Sequence, residues 1–384
     1  MDKKLLVLAL AAFAIGTDSY VVAGILPGVA ASFATSVAAA AQFVSVYALS
    51  YGLLSPVMAT LTARWQRRHV LLGGLVMFVA SNALTATAGG LGVALAGRAL
   101  AGLGGAMFIP TASAVAAGLA GAERRGHALA VVLAGLSAAT ALGAPLGTLV
   151  GTLEDWRTTL WCVAVLATLA ALGVWALVPN IATGPAPTLR QRLAPLAEAR
   201  VAATLATTML AVLGIFLVYT YLSVVFDRAT HRDGRLVAAL MSIWGVAATF
   251  GSLKAGALAD RLGSRRVINF ALALLAADFA LMPWSGATLA GTAIALTLWG
   301  MCGWGFVASQ QHRLVGIAPA LASMVLALNA SAIYLAIGLS GAAGALLLRW
   351  LDPHKLPLLG AGLLACALAA AELTQRLLSS RARA

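Results

Sequence analysis

Long apolar runs, interrupted by short clusters of charged and turn-forming residues, occupy almost the whole chain. A helix of about 20 apolar residues crosses the hydrocarbon core of a bilayer. Dividing the chain at its polar clusters predicts twelve such helices, called spans 1 to 12. They cover residues 5–27, 38–62, 70–88, 91–118, 128–153, 159–178, 202–226, 237–258, 267–285, 288–310, 322–348 and 356–375. The predicted fold class is therefore an all-α membrane protein with 12 transmembrane helices.

Composition excludes the other broad classes of protein. Of the 384 residues, 61% are hydrophobic and 10% are charged, whereas about 25% are charged in a soluble domain. So few charges could not cover a soluble surface, and intrinsic disorder requires low hydrophobicity. The first apolar run extends to Pro27, which is longer than the apolar region of a signal peptide. We therefore expect an uncleaved first span.

The basic residues indicate the orientation of the chain and exclude one class of partner. The net charge is +13, but the basic residues lie in short loops rather than on one patch, so we expect no nucleic-acid partner. If the N-terminus is cytoplasmic, far more basic residues fall in cytoplasmic than in external segments, as the positive-inside rule requires. We therefore predict an inner-membrane protein in the lipid bilayer with both termini in the cytoplasm.

The two halves of the sequence look like repeats. Residues 61–70 (LTARWQRRHV) and 258–267 (LADRLGSRRV) are similar, lie half a chain apart, and each follow the second span of their half. Residues 179–201, rich in proline and basic residues, separate the halves. The predicted organisation is an N-terminal six-helix bundle (1–178), a cytoplasmic linker (179–201) and a C-terminal six-helix bundle (202–384). Parallel repeats of this kind imply a central cavity between the halves.

Several motifs resemble those of the major facilitator superfamily. The loop from Gly256 to Arg266 is similar to the superfamily's loop motif, and the resemblance covers nearly the whole chain. The stretch from Arg98 to Gly104 and the stretch from Ala139 to Gly147 resemble the 12-helix drug:proton antiporter branch. Residues 16–27 and 328–334 look like sugar-efflux, arabinose-efflux and chloramphenicol-type exporters. The resemblance implies two pseudo-symmetric six-helix bundles and export of a small molecule in exchange for protons.

The resemblance also implies a set of charged loop residues that gate the cytoplasmic side. The first copy of the loop motif departs from the family, because Ala63 stands at its acidic position and Gln66 at the following glycine. This departure puts the latch of the N-terminal half in doubt, whereas Asp260 remains in the second copy. The gating residues implied are Arg64, Arg67, Arg68, Glu123, Arg124, Arg125, Asp260, Arg261, Gly263, Arg265 and Arg266.

Two ionisable residues lie at membrane depth in the N-terminal half. An ionised side chain there costs about 2.5–3.5 kcal/mol to insert, so it must be paired or face water. Asp18 in span 1 and Arg98 in span 4 lie at similar depths below the external surface, roughly 10–13 Å at 1.5 Å per residue. We predict that they are close together and couple transport to protons, because burial favours a neutral acid and a guanidinium favours the carboxylate. A static pair that only orients the helices is the alternative.

A glycine–proline stretch in span 5 carries the antiporter motif with one inserted alanine, Ala144. Pro145 removes a backbone hydrogen bond and kinks the helix, while Gly143 and Gly147 permit close helix approach. We expect these glycines to face the other half, where the resemblance implies that the contact seals the cavity. A generic kinked membrane helix is the alternative.

Aromatic and amide side chains within the spans suit a cavity for a mid-sized amphiphile, although each could equally be a packing residue. The candidate cavity residues are Tyr20, Gln42, Tyr47, Tyr51, Tyr219, Trp244, Trp299, Trp304, Asn329 and Tyr334. At predicted span ends, Trp65, Trp156, Trp284 and Trp350 are interpreted as an interfacial belt. We expect Asp278 in span 9 to bond to a neighbouring helix and Lys254 to reach the membrane surface.

Enzyme signals are absent from the sequence. There is no GxxxxGK[ST] loop, HExxH or CxxC pattern, so we expect no cofactor, no metal, and the proton gradient as energy source. The predicted function is a monomeric secondary transporter exporting a drug, sugar or metabolite. A proton-coupled importer or symporter is the first alternative. A sensor or scaffold that kept the fold is the second, which the intramembrane Asp18 and Arg98 disfavour.

Overall fold

The computed structural model describes residues 2–181 and 187–381, and the side chains of 121–123 and 376–381 lie outside this description. Within the described part of the chain, twelve helices are long and apolar enough to cross a membrane. Spans 1 to 12 are Lys3–Ser32, Val37–Leu61, Arg67–Ala86, Leu91–Leu119, Arg124–Leu153, Trp156–Leu177, Ala199–Tyr219, Gly234–Leu262, Ser264–Ser285, Leu289–Ile317, Pro319–Leu347 and Pro353–Gln375. The predicted all-α fold class is confirmed.

Side-chain caps fix where several spans begin. Asp155 accepts a hydrogen bond from the backbone N–H of Arg157 at the start of span 6, and Asp233 accepts one from Arg235 at the start of span 8. Thr288 caps span 10 in the same way. Each cap satisfies a backbone donor that the first helical turn leaves unpaired. Short polar segments therefore start these helices without long loops.

Span 7 ends earlier than predicted. It stops at Tyr219, and two single-turn helices, Leu222–Val225 and Asp227–Thr230, follow in place of the predicted continuation to residue 226. The hydroxyl of Tyr221 donates a hydrogen bond to the carbonyl oxygen of Gly341, 2.7 Å away. Hydropathy missed this break because residues 221–226 are mostly apolar and mostly buried in protein, whether or not they continue the helix.

The chain divides into two compact units, Met1–Thr188 and Leu189–Ala384, and the division falls within residues 179–201. In the first unit span 1 packs on spans 5 and 6, span 4 on spans 2 and 3, and span 3 on span 6. In the second unit span 7 packs on spans 11 and 12, span 10 on spans 8 and 9, and span 9 on span 12. The second unit thus repeats the packing of the first with each span number raised by six.

Candidate functional site

A buried ion pair lies where spans 1, 2 and 4 of the first unit meet. Nη1 of Arg98 donates to both carboxylate oxygens of Asp18, at 2.7 and 2.8 Å. The two residues are 1% and 0% exposed. Nη2 of Arg98 also lies 3.5 Å from the backbone oxygen of Asp18. The two groups predicted to be close are therefore in direct contact.

Residues of span 2 complete the surroundings of the guanidinium. Nε of Arg98 donates to the carbonyl oxygen of Phe43 at 3.4 Å, and the guanidinium carbon lies 4.7 Å from the ring centre of Tyr47. The hydroxyl of Ser19 donates to the Tyr47 hydroxyl at 2.9 Å. A buried ion pair is stable only where the geometry and additional hydrogen bonds offset its lost hydration. Arg98 meets that condition with carboxylate, carbonyl and aromatic partners.

The glycine–proline stretch of span 5 packs against span 1. Ala139–Gly143 form a turn of π-helix directly before Ala144 and Pro145, and such a turn accommodates an extra residue such as Ala144. A Cβ atom on Gly143 would lie 1.9 Å from the Thr17 hydroxyl oxygen of span 1. One on Gly147 would meet span 1 and span 6. The space left by these two missing side chains is therefore filled by spans 1 and 6 of the same unit, and contact of this stretch with the other half stays a prediction.

Thr17 was not predicted as a site residue. It precedes Asp18 in span 1, is buried, and its hydroxyl has no hydrogen-bond partner among the described residues. The local sequence Gly16-Thr17-Asp18 indicates this role only weakly. A small polar side chain beside a buried acid is suited to a close contact between two helices. Its position against the π-helical turn depends on the packing of span 5, which the sequence of span 1 does not contain.

Four predicted aromatic residues of the second unit, Tyr219, Trp244, Trp299 and Trp304, form one cluster where spans 7, 8 and 10 meet. The ring centre of Tyr219 lies 4.7 Å from that of Trp244 and 6.2 Å from that of Trp299. Trp304 lies 6.4 Å from Trp244, and Phe279, which was not predicted, packs 5.0 Å from Trp299. Trp244 and Trp299 are fully buried, so they pack against other protein groups.

The other predicted cavity residues are spread over both units. Tyr20 and Tyr51 are buried, and half-buried Gln42 donates to the carbonyl oxygen of Ala38 at 3.4 Å. Tyr334 is half-buried. Asn329 in span 11 is fully buried, and neither its amide oxygen nor its amide nitrogen has a partner among the described residues. Their contact with a substrate stays a prediction.

The predicted gating residues lie mostly on helix ends rather than in loops. Only Arg64 and Gly263 of the set fall outside helices, and Gly263 has a φ of +82° that favours glycine. The loop assignment is wrong for the others because polar residues can form the first or last turns of a membrane helix. The misassigned residues are Arg67, Arg68, Arg124, Arg125, Asp260, Arg261, Arg265 and Arg266. The side chain of Glu123 lies outside the described residues.

Some of these charged residues make specific contacts inside their own unit. Arg265 forms a two-point ion pair with Glu372 of span 12, at 3.0 and 2.5 Å, and Asn269 also donates to Glu372. Nε2 of His312 lies 3.2 Å from Asp260. In the first unit Arg68 donates to the carbonyl oxygen of Trp175. No local sequence pattern predicts the Glu372 contact, which joins residues more than 100 positions apart.

Trp156 does not belong to the interfacial belt. It is 2% exposed, whereas Trp65, Trp284 and Trp350 are all more than half exposed. Its indole N–H donates to the Ser32 hydroxyl at 2.9 Å. Its place at the start of span 6 suggested a surface position, but the end of span 1 covers it. Asp278 is buried and one of its carboxylate oxygens has no partner among the described residues, while Lys254 is exposed.

Sequence comparison shows that this chain is similar to known transporters. The family model described as Major Facilitator Superfamily matches residues 8–341. The inner membrane transport protein YdhP of Escherichia coli (strain K12) is 29% identical over 362 residues, covering 94% of this chain and 93% of that protein. A chloramphenicol resistance protein of Streptomyces lividans is 32% identical over 267 residues, or 68% of each chain.

Solved structures match the fold over nearly the whole chain. The nucleoside transporter NupG has a TM-score of 0.78 at 14% identity, covering 97% of this chain and 99% of its own. A bacterial homologue of the human lysosomal transporter Spinster, in an inward-facing and occupied conformation, has a TM-score of 0.77 at 14% identity, covering 97% and 96%. At this identity the likeness shows the fold alone.

Proposed function

The chain belongs to the Major Facilitator Superfamily, and from that premise we propose that it is a secondary transporter that exports a small molecule in exchange for protons. The observation that carries the proposal is the fully buried pair of Asp18 and Arg98. Ionisable groups inside a membrane are costly, and they mark proton relays and transport pathways more often than structural contacts. We place the transporter in the inner membrane with both termini in the cytoplasm.

In this proposal, the ion pair couples proton movement to export of the small molecule through a change in the charge of Asp18. When Asp18 accepts a proton, Arg98 loses its counter-ion and keeps uncharged partners, namely the backbone carbonyl oxygens of Phe43 and Asp18 and the Tyr47 ring. An unpaired buried cation is strongly unfavourable, so protonation favours a conformation in which water or substrate reaches the guanidinium. Release of the proton on the opposite side restores the pair. One proton per Asp18 therefore crosses the membrane in each cycle, against the direction of the exported molecule.

Two similarities support the direction and location of transport. The Streptomyces relative is a resistance protein for chloramphenicol, and resistance to a drug is consistent with its export. The Escherichia relative is an inner membrane transport protein. The exported molecule would be a drug, sugar or metabolite of moderate size, with the aromatic and amide residues of the spans as candidate contacts.

Everted membrane vesicles test the proposal. Respiration acidifies the lumen, and a substrate that enters in exchange for protons relieves the quenching of a pH-sensitive dye. A panel of lipophilic antimicrobials, sugars and nucleobase-like compounds is screened in this way. We expect Asp18→Asn to abolish the response to any active compound while the protein remains in the membrane. Glu154→Gln, which changes an exposed carboxylate, is the matched control and should respond normally.

Each contrary result has a definite meaning. Substrate movement in the same direction as protons would identify an importer or symporter instead. Full dye response in Asp18→Asn would remove Asp18 from coupling. No response to any compound, with purified protein that also binds none of them, would favour a sensor or scaffold.

A further inference from the structure

A continuous run of contacts connects the ion pair to one end of the first unit. The carbonyl oxygen of Phe43 accepts a hydrogen bond from Arg98, and the ring of Phe43 packs edge-on against Trp156 with ring centres 5.9 Å apart. Phe43 and Trp156 are both almost fully buried. The same residue thus contacts the guanidinium with its backbone and the indole with its side chain.

Trp156 is held in place from several directions. Its N–H donates to Ser32 at the end of span 1, and the ring of Phe33 lies 5.7 Å away at an angle of 57°. The guanidinium of Arg157 lies 4.5 Å above the indole ring. Such aromatic and cation–π contacts prefer defined geometries rather than loose packing. The indole is therefore a fixed part of this end of the unit.

Exposed charges lie immediately beyond the indole. Arg157 and Asp155 form a partly exposed ion pair with 3.6 Å between Nη1 and Oδ2, and Nη2 of Arg157 also reaches the carbonyl oxygen of Ala88 at 3.4 Å. Water therefore reaches this end of the unit as far as Arg157. Trp156, Phe43 and Arg98 thus form a run of contacts from this end of the unit to Asp18.

We propose that Trp156, packed edge-on against Phe43, is a gate that closes the path from this end of the protein to Asp18. Trp156 is a positioning residue, since it reaches the ion pair only through Phe43. The inference rests on the proposed function in one respect, because a gate over Asp18 matters only where protons reach that carboxylate from alternating sides. In the predicted orientation this end faces the outside.

A cysteine beside the ion pair reports whether the gate is closed. Ser19 is a suitable position, because its hydroxyl bonds Tyr47, whose ring covers Arg98. Ser19→Cys is made in a chain whose Cys162, Cys302 and Cys366 are replaced by serine. A membrane-impermeant cationic methanethiosulfonate is applied to vesicles of either orientation. One further substitution is then added to this chain, either Trp156→Ala, Trp156→Phe or Trp161→Ala. Trp161→Ala is the control, because it removes a partly exposed tryptophan from the same span.

We expect Trp156→Ala to raise the labelling rate about tenfold from the Trp156 end only, because labelling reports how often the local structure opens. Trp156→Phe keeps a ring and loses the bond to Ser32, so its rate should lie in between. Trp161→Ala should label as slowly as Ser19→Cys alone. Unchanged labelling in Trp156→Ala, or equal acceleration from both ends, would overturn the gate.

The labelling result does not depend on proton coupling. If Asp18→Asn transports normally while Trp156→Ala speeds labelling from the Trp156 end only, the proposed proton coupling is wrong and the gate is supported. If Asp18→Asn abolishes transport while labelling is unchanged, the coupling stands and the gate fails.

Discussion

The two units pack their spans in the same pattern but place different chemistry at equivalent positions. Where spans 1, 2 and 4 meet, Asp18 and Arg98 form a buried ion pair beside Tyr47. Where spans 7, 8 and 10 meet, Tyr219 and Trp299 belong to an aromatic cluster. The ion pairs described in the second unit lie at helix ends, such as Arg265 with Glu372.

This difference separates what the fold requires from what the chemistry requires. The second unit shows that six spans can pack in this arrangement with an aromatic cluster, rather than a buried ion pair, at the equivalent meeting point. A buried ion pair is often no more stabilising than apolar residues of similar volume. This comparison supports the proposal that the pair in the first unit serves as a group that gains and loses charge.

Removing the cation alone should have the largest effect. Arg98→Ala leaves the Asp18 carboxylate buried without its counter-ion, so we expect a loss of about 3–5 kcal/mol in the free energy of unfolding and no transport. The free energy is measured by denaturant titration in detergent micelles, and transport by dye response in everted vesicles.

The double variant Asp18→Asn with Arg98→Gln distinguishes the two roles of the pair. It removes both charges together, so most of the stability should return while transport stays absent. Restored transport in the double variant would contradict the coupling role. Equal stability of Arg98→Ala and the unchanged protein would contradict the burial argument.

A methyl group at the helix contact beside the pair should have the next largest effect. The Cβ of Gly143→Ala would lie 1.9 Å from the hydroxyl oxygen of Thr17, so spans 1 and 5 must separate or the π-helical turn must shift. We expect a loss of about 1–3 kcal/mol in the free energy of unfolding, as for an overpacked core.

A control and a suppressor sharpen this prediction. Gly362→Ala, with no neighbouring atom within 4 Å of the new methyl group, should be neutral or gain up to about 1 kcal/mol from helix propensity. Adding Thr17→Ala to Gly143→Ala should recover part of the loss, because the two sites are in contact. Strict additivity of Thr17→Ala and Gly143→Ala would argue against the contact.

The aromatic cluster of the second unit should tolerate change more readily. Trp299→Phe shortens a fully buried ring whose N–H has no partner among the described residues, so no hydrogen bond of those described is lost. We expect a loss of about 1–2 kcal/mol in stability from the smaller ring and retained proton coupling. Trp350→Phe, at an exposed tryptophan, is the control for stability. Loss of coupling in a stable Trp299→Phe would show that the second unit shares the proton chemistry.

Features set by helix length and depth could be predicted from the sequence, whereas features set by distant packing could not. The length of each apolar run fixes the number of spans, and depth along two helices brings Asp18 and Arg98 to one level. The burial of Trp156 depends on where the end of span 1 comes to lie. The contact of Gly143 with Thr17 depends on the π-helical turn, which shifts the face of span 5. Neither the burial of Trp156 nor the contact of Gly143 with Thr17 can therefore be predicted from a local sequence pattern.

The smallest predicted effect concerns an exposed carboxylate at an end of the second unit. The backbone N–H of His354 donates to Asp352 at 2.8 Å, and this bond, with the adjacent imidazole, holds the pKa of Asp352 below its ordinary value. The folded state therefore favours the carboxylate, so its contribution to stability is present above about pH 4 and is lost as the pH falls through the lowered pKa. Asp352→Asn should cost less than about 1 kcal/mol near neutral pH, since an exposed group is screened by solvent. The difference in unfolding free energy between the two proteins should shrink as the pH falls below about 4, and a difference that stays constant with pH would show that the charge of Asp352 is not its source.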